Sequence, residues 1–130
     1  MTAAVVLMAG LIRSRLAQTF LIIAPVSVLP AWIRELEAHL EPYIQTKVII
    51  DLMSSEMKPK QRQKVLEVAK TTMASHIIVT SYQLVTNMIA DMERVNFDYV
   101  ILDEGCIVVA FIVTFVQSNT NMSICVHTCT

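Results

Sequence analysis

Four short runs of β-branched and aliphatic residues, Phe20 to Ile23, Val48 to Asp51, Ile77 to Thr80 and Tyr99 to Asp103, are separated by segments whose apolar residues recur at helical spacing. Strands that are apolar along their whole length are buried on both faces, and strands joined through helices pair in parallel. The first helical segment has Pro30 near its start and sets Trp32, Ile33, Leu36 and Leu40 against Arg34, Glu35, Glu37 and His39. The second follows Lys58 and Pro59 and presents Val65, Leu66, Ala69 and Met73, with Lys60, Arg62, Lys64, Glu67 and Lys70 on the other surface. The third begins near Ser81 and carries Val85, Met88, Ile89 and Met92, with Asn87, Asp91 and Arg94 turned outward. Ahead of the first strand, Thr2 to Leu16 has helical composition, with Val5, Val6, Met8, Ala9, Ile12 and Leu16 available to pack. The order αβαβαβαβ predicts an α/β fold: a mostly parallel sheet with helices on both faces and right-handed crossovers. Ligands on such sheets bind beyond the carboxyl ends of the strands, so the residues just after the strands carry the functional interest.

Charge divides the chain further. Of 130 residues, enough for one domain, 55% are hydrophobic and only 16% charged, against about 25% charged in ordinary soluble domains. Every charged residue lies between Arg13 and Glu104, and Gly105 to Thr130 carries none. The net charge of -1 excludes a global basic field, so any contact with nucleic acid is local. No apolar run reaches the roughly 18–20 residues of a membrane span: Arg13 and Arg15 end the first, Pro25 and Pro30 interrupt the second, and Gln117, Ser118 and Asn119 close the last. The arginines follow the opening apolar run instead of preceding it, which is not the arrangement of an export signal. Three cysteines, Cys106, Cys125 and Cys129, form no disulfide framework, and Cys125, His127 and Cys129 lack the loop spacing and fourth ligand of a zinc site. His39 reads as a surface residue and His76 as a strand-entry residue.

Chemistry concentrates at three strand ends. Asp103 and Glu104, the only adjacent acidic pair, follow Tyr99 to Leu102. A carboxylate buried at a strand end is costly unless something cationic answers it. In nucleotide hydrolases the answer is magnesium, held by the aspartate, with the neighbouring acid handling the attacking water. A solvated acidic turn is the competing reading, and pattern alone favours it. After the first strand, Ala24, Pro25, Val26 and Ser27 lead into a helix start where backbone N–H groups can meet a phosphate. Thr80, Ser81 and Tyr82 offer the same after the third. The competing reading is helix caps, with Trp32 a core anchor.

Taken in order and spacing, LIIAPVSVLPAWIRELEAHL at 21 to 40, IIVTSYQLV at 77 to 85 and FDYVILDEG at 97 to 105 resemble the first RecA-like lobe of the Swi/Snf-related helicase-like ATPases, the superfamily 2 DNA translocases. The resemblance covers roughly residues 5 to 105, with an excision-repair-like branch preferred. It implies a RecA-like parallel sheet, ATP and Mg2+ as cofactors, DNA and chromatin proteins as partners, and a nuclear location. It assigns Asp103 to the metal and nucleotide, Asp103 and Glu104 to catalysis, and Ala24, Pro25, Val26, Ser27, Thr80, Ser81 and Tyr82 to the DNA backbone. Where the family has a Gly-rich phosphate loop ending in Gly-Lys-Thr or Gly-Lys-Ser, this chain has Met1-Thr2-Ala3-Ala4, and Cys106 stands where a histidine is expected. Nucleotide affinity and its coupling to the other motifs are therefore expected to be impaired.

The expectation is an incomplete lobe: residues 1–105 as a partial ATP-binding lobe and residues 106–130 as an apolar tail outside the family, as in a truncated or mis-spliced product. Its function reads as a fragment of an ATP-dependent translocase, chromatin remodeller or repair ATPase, inactive alone. Two alternatives stand beside it. One is a noncatalytic DNA- or protein-binding module using the basic helix with Lys58, Lys60, Arg62, Lys64 and Lys70; the other is a small protein associated with membranes through its tail. A substitute strand within Cys106 to Phe115 would cover the sheet edge left by missing strands.

Overall fold

A computed structural model describes residues 2–40, 42, 44, 47–103 and, as backbone, 123–127. Helix α1 (Thr2–Arg13) leads into β1 (Thr19–Ala24), a 3-10 turn (Val26–Val28) and α2 (Leu29–His39). Then come β2 (Val48–Met53), α3 (Pro59–Thr71), β3 (Ser75–Ser81), the short helices α4 (Tyr82–Asn87) and α5 (Ile89–Glu93), β4 (Tyr99–Asp103) and β5 (Ser123–His127). The strands form one sheet in the order β2-β3-β1-β4-β5, every pair parallel. This is the expected α/β architecture, a RecA-like parallel sheet with helices on both faces.

Alternation along each strand builds two cores. Phe20, Ile22, Ala24, Ile77, Val79 and Ile101 face α1 and α2, where Met8, Trp32 and Leu36 cover them. Leu21, Ile23, Ile78, Val100 and Leu102 face the other way, under Leu66 of α3, Val85 of α4 and Met92 of α5. The split follows from handedness. The chain moves from β1 to the outer strand β2 in one direction, then returns through β3 to β4 in the other. Right-handed crossovers therefore put α2 on one face and α3, α4 and α5 on the opposite one.

The ends of the helices differ from the sequence reading for local reasons. Helix α1 stops at Arg13, because Arg15 turns left-handed at φ 58° and Leu16 N returns its hydrogen to Leu11 O at 3.0 Å. Leu16 is thereby thrown into solvent at 75% exposure, and Val6 lies on the outer face of α1 at 63%, so neither joins the core. Helix α3 ends at Thr71, Thr72 is already extended, and Met73 is 92% exposed instead of completing the apolar stripe. The third helical segment is broken at Met88 (φ -118°, ψ 25°), which separates α4 from α5 while Val85, Met88 and Met92 stay buried.

At the amino end of the sheet, Asp98 ties β1 to β4. Its Oδ2 accepts from Gln18 N at 2.8 Å and Thr19 N at 3.0 Å, and its own N–H donates to Thr19 O at 2.8 Å. Amides entering a central strand need acceptors, and here one side chain serves two of them. His76 is the second residue of β3, as its reading as a strand-entry residue expects; it is also fully buried, and its Nε2 lies 2.7 Å from Asp51 Oδ2 on β2. The proposed substitute strand at 106–115 lies outside the described residues. The strand that pairs with β4 is β5, in register Tyr99 with Ser123 through Asp103 with His127.

Candidate functional site

Parallel pairing brings all the strand ends to one rim. Ala24 pairs in register with Ser81, Ile23 with Leu102, and Met53 with Thr80, so β1 to β4 all finish together. From adjacent strands β1 and β3 the chain departs to opposite faces, α2 on one and α4 on the other, and such a divergence opens a crevice at the rim.

Asp103 ends β4, which flanks β1 on the side away from β3, and is only 1% exposed. Burial overturns the solvated acidic turn that pattern alone favoured for Asp103, and a neutral donor answers one of its oxygens. The indole Nε1 of Trp32, in the first turn of α2, donates to Asp103 Oδ2 at 2.9 Å. From the opposite face, the Tyr82 hydroxyl at the start of α4 donates to the Asp103 backbone carbonyl. Asp103 Oδ1 is buried and has no hydrogen-bond partner among the described residues. Trp32 is thus both the core anchor that its place in the α2 stripe indicated and a partner of the carboxylate, a role that no spacing rule could reveal. Glu104 lies outside the described residues.

The other rim residues divide by exposure. Ala24 is fully buried and Pro25 partly so, whereas Val26 at 67% and Ser27 stand out from the 3-10 turn. The turn is closed by Val28 N donating to Pro25 O at 3.0 Å, and α2 then begins with no side-chain cap. Thr80 is fully buried, its hydroxyl donating to Met53 O at 2.8 Å. Ser81 is the N-cap of α4, accepting from Leu84 N at 3.3 Å. The hydroxyls of Thr80 and Ser81 are therefore engaged in holding strand and helix ends, while Ser27 is the exposed hydroxyl of the set. The basic helix α3 exposes Lys60, Lys64 and Lys70, with Lys70 Nζ 3.0 Å from Glu67 Oε1.

A family model for the SNF2-related domain matches residues 3–110. The chain belongs to this family. Comparison with curated proteins finds no significant match. The SNF2-related domain is that of Swi/Snf-related helicase-like ATPases, an ATP-dependent family that generally acts on DNA. The match runs a few residues past Gly105, and β5 adds a further part of the tail to the sheet. No helix among the described residues is long and apolar enough to cross a membrane.

The residues present fit the family's Mg2+ at one point. An orphaned, buried carboxylate oxygen is a suitable cation ligand, and Asp103 Oδ1 is one. No group of three His, Cys, Asp or Glu side chains gathers to hold a metal among the described residues. Residues 1–130 contain no Gly-Lys-Thr or Gly-Lys-Ser.

Proposed function

We propose that this chain is a piece of the ATP-binding lobe of a nuclear SNF2-type DNA translocase, of the kind that remodels chromatin or serves DNA repair, and that by itself it does not hydrolyse ATP. The observation that carries the reading is the gathering of Asp103, the 24–28 segment and the 80–82 segment on one rim, where a buried Asp103 oxygen has no hydrogen-bond partner among the described residues. In this reading Asp103 ligates Mg2+ and Glu104 handles the water. Ala24, Pro25, Val26, Ser27, Thr80, Ser81 and Tyr82 shape the edge along the DNA backbone, with Pro25 to Ser27 supplying its exposed part. Buried Ala24 and Thr80 act by fixing where that edge stands. The sequence without a Gly-Lys phosphate loop supports inactivity of the chain alone, since the metal ligand has no partner to hold the phosphate it would neutralise.

The test is phosphate release by the full chain with ATP, Mg2+ and duplex DNA. No release above buffer is expected. Release that is lost in Asp103→Asn and Glu104→Gln would refute inactivity. A DNA-binding role of the same rim predicts retention on duplex DNA that weakens with salt, because phosphate contacts release counterions. Retention indifferent to ionic strength would remove DNA from the reading.

A further inference from the structure

Two hydrogen bonds converge on Asp103 from opposite sides of the sheet. Trp32 reaches its side chain from α2, and Tyr82 reaches its main-chain carbonyl from α4. The two donors are rooted in different cores, Trp32 among the residues under α1 and α2, Tyr82 against those under α3 to α5. Each also stands just after a strand end of the DNA-facing rim: Trp32 follows the 24–28 segment by one helical turn, and Tyr82 follows Ser81 directly. Between them Asp103 Oδ1 is buried with no hydrogen-bond partner among the described residues. Asp103 is only 1% exposed, and α2 and α4 each place a hydrogen-bond donor on it.

We propose that Trp32 and Tyr82 form a latch that keeps Asp103 closed to a divalent cation until DNA engages the rim and draws α2 and α4 off the carboxylate. Both are positioning residues, acting through Asp103. The inference rests on the reading of the rim as DNA-facing and of Asp103 as a cation ligand. The latched and open arrangements are two states of one lobe, and DNA shifts their populations because it favours the open one. Reciprocity then requires a cation at Asp103 to tighten DNA binding by the same factor that DNA tightens the cation.

The probe is Mn2+, counted by loss of the free-ion paramagnetic resonance signal, titrated into the full chain with and without a duplex. For the wild-type chain, duplex is expected to tighten Mn2+ binding by about fivefold or more, the lower range of allosteric couplings. Tyr82→Phe removes the hydroxyl alone and Trp32→Phe the indole N–H. Each variant is expected to bind Mn2+ without duplex about as tightly as the wild-type chain binds it with duplex, and to gain less than about twofold from DNA. A residue that merely supported the fold would not raise metal affinity when lost. Since Tyr82 is only partly buried, its variant remains informative if Trp32→Phe unfolds. Variants that bind Mn2+ no tighter than the wild type, or keep the full response to duplex, overturn the latch. A wild-type chain that binds both ligands without coupling also overturns it while leaving the proposed function standing. Failure to bind Mn2+ or duplex at all, or Mn2+ binding unaltered in Asp103→Ala, overturns the underlying reading and the latch with it.

Discussion

Replacing Trp32 by Phe tests how much the indole–carboxylate contact contributes, and the structure sets the magnitude. Trp32 is fully buried in the core under α1 and α2. The smaller ring leaves about 40 Å³ unfilled, which at about 24 cal/mol per Å³ costs about 1 kcal/mol. The substitution also strips Asp103 Oδ2 of its 2.9 Å donor at a site where Oδ1 has no partner among the described residues. An acceptor left unsatisfied in the interior costs about 2 kcal/mol. The expected loss is thus about 3 kcal/mol, or on the order of 10 °C in melting temperature for a domain of this size. In an Asp103→Leu background no oxygen waits for the indole, so the same ring change should cost only the packing part, about 1 kcal/mol. The cycle isolates a coupling of about 2 kcal/mol between two residues far apart in sequence. Urea denaturation followed by far-ultraviolet circular dichroism is the suitable assay, because the substitution removes the only tryptophan in the chain. Single and double variants additive to within about 0.5 kcal/mol would refute the reasoning, since independent sites behave that way.

Asp98→Ala removes the acceptor shared by Gln18 N and Thr19 N and should cost about 1–2 kcal/mol after water replaces part of it, while Asp98→Asn should keep about half of that; equal losses in urea denaturation would show that the carboxylate is not the acceptor that matters. Arg15→Gly relieves a left-handed residue at the end of α1 and should raise stability by about 0.5–1 kcal/mol, with a lowered melting temperature the contrary result. Asp51→Ala leaves both nitrogens of buried His76 without the described partner and should cost about 1–3 kcal/mol, whereas Asp51→Asn, which keeps an acceptor oxygen, should recover most of it. Matched denaturation midpoints for the two Asp51 variants would count against the pairing.

The sheet was legible because each of its four principal strands contains a run of at least three consecutive apolar residues, and such runs separated by helices leave few topologies. The rim followed from parallel pairing alone, so Asp103, Ser81 and Ala24 were placed together before any contact was known. What the pattern could not deliver was pairing at a distance. His76 and Asp51 sit on neighbouring strands, and nothing in the spacing of either marks the other. Trp32 fits the apolar stripe of α2 so well that its polar edge is invisible to periodicity. Met73 shows the opposite failure: the helical period continues through it, but the backbone leaves the helix at Thr72 to turn toward β3. Thr80 and Ser81 were readable as hydroxyls at a strand end, whereas their use in bonding Met53 O and Leu84 N depends on where β2 and α4 come to rest.

The central position of β1 bears on how such a chain emerges from a ribosome. This strand is finished early, yet its two neighbours are β3, paired from His76 onward, and β4, paired from Tyr99 onward. Its Phe20, Leu21, Ile22 and Ile23 are almost wholly shielded once both flanks are in place. During synthesis they must wait unpartnered until the residues through β4 have appeared, a sticky interval in which holdase chaperones have an opportunity and self-association a risk.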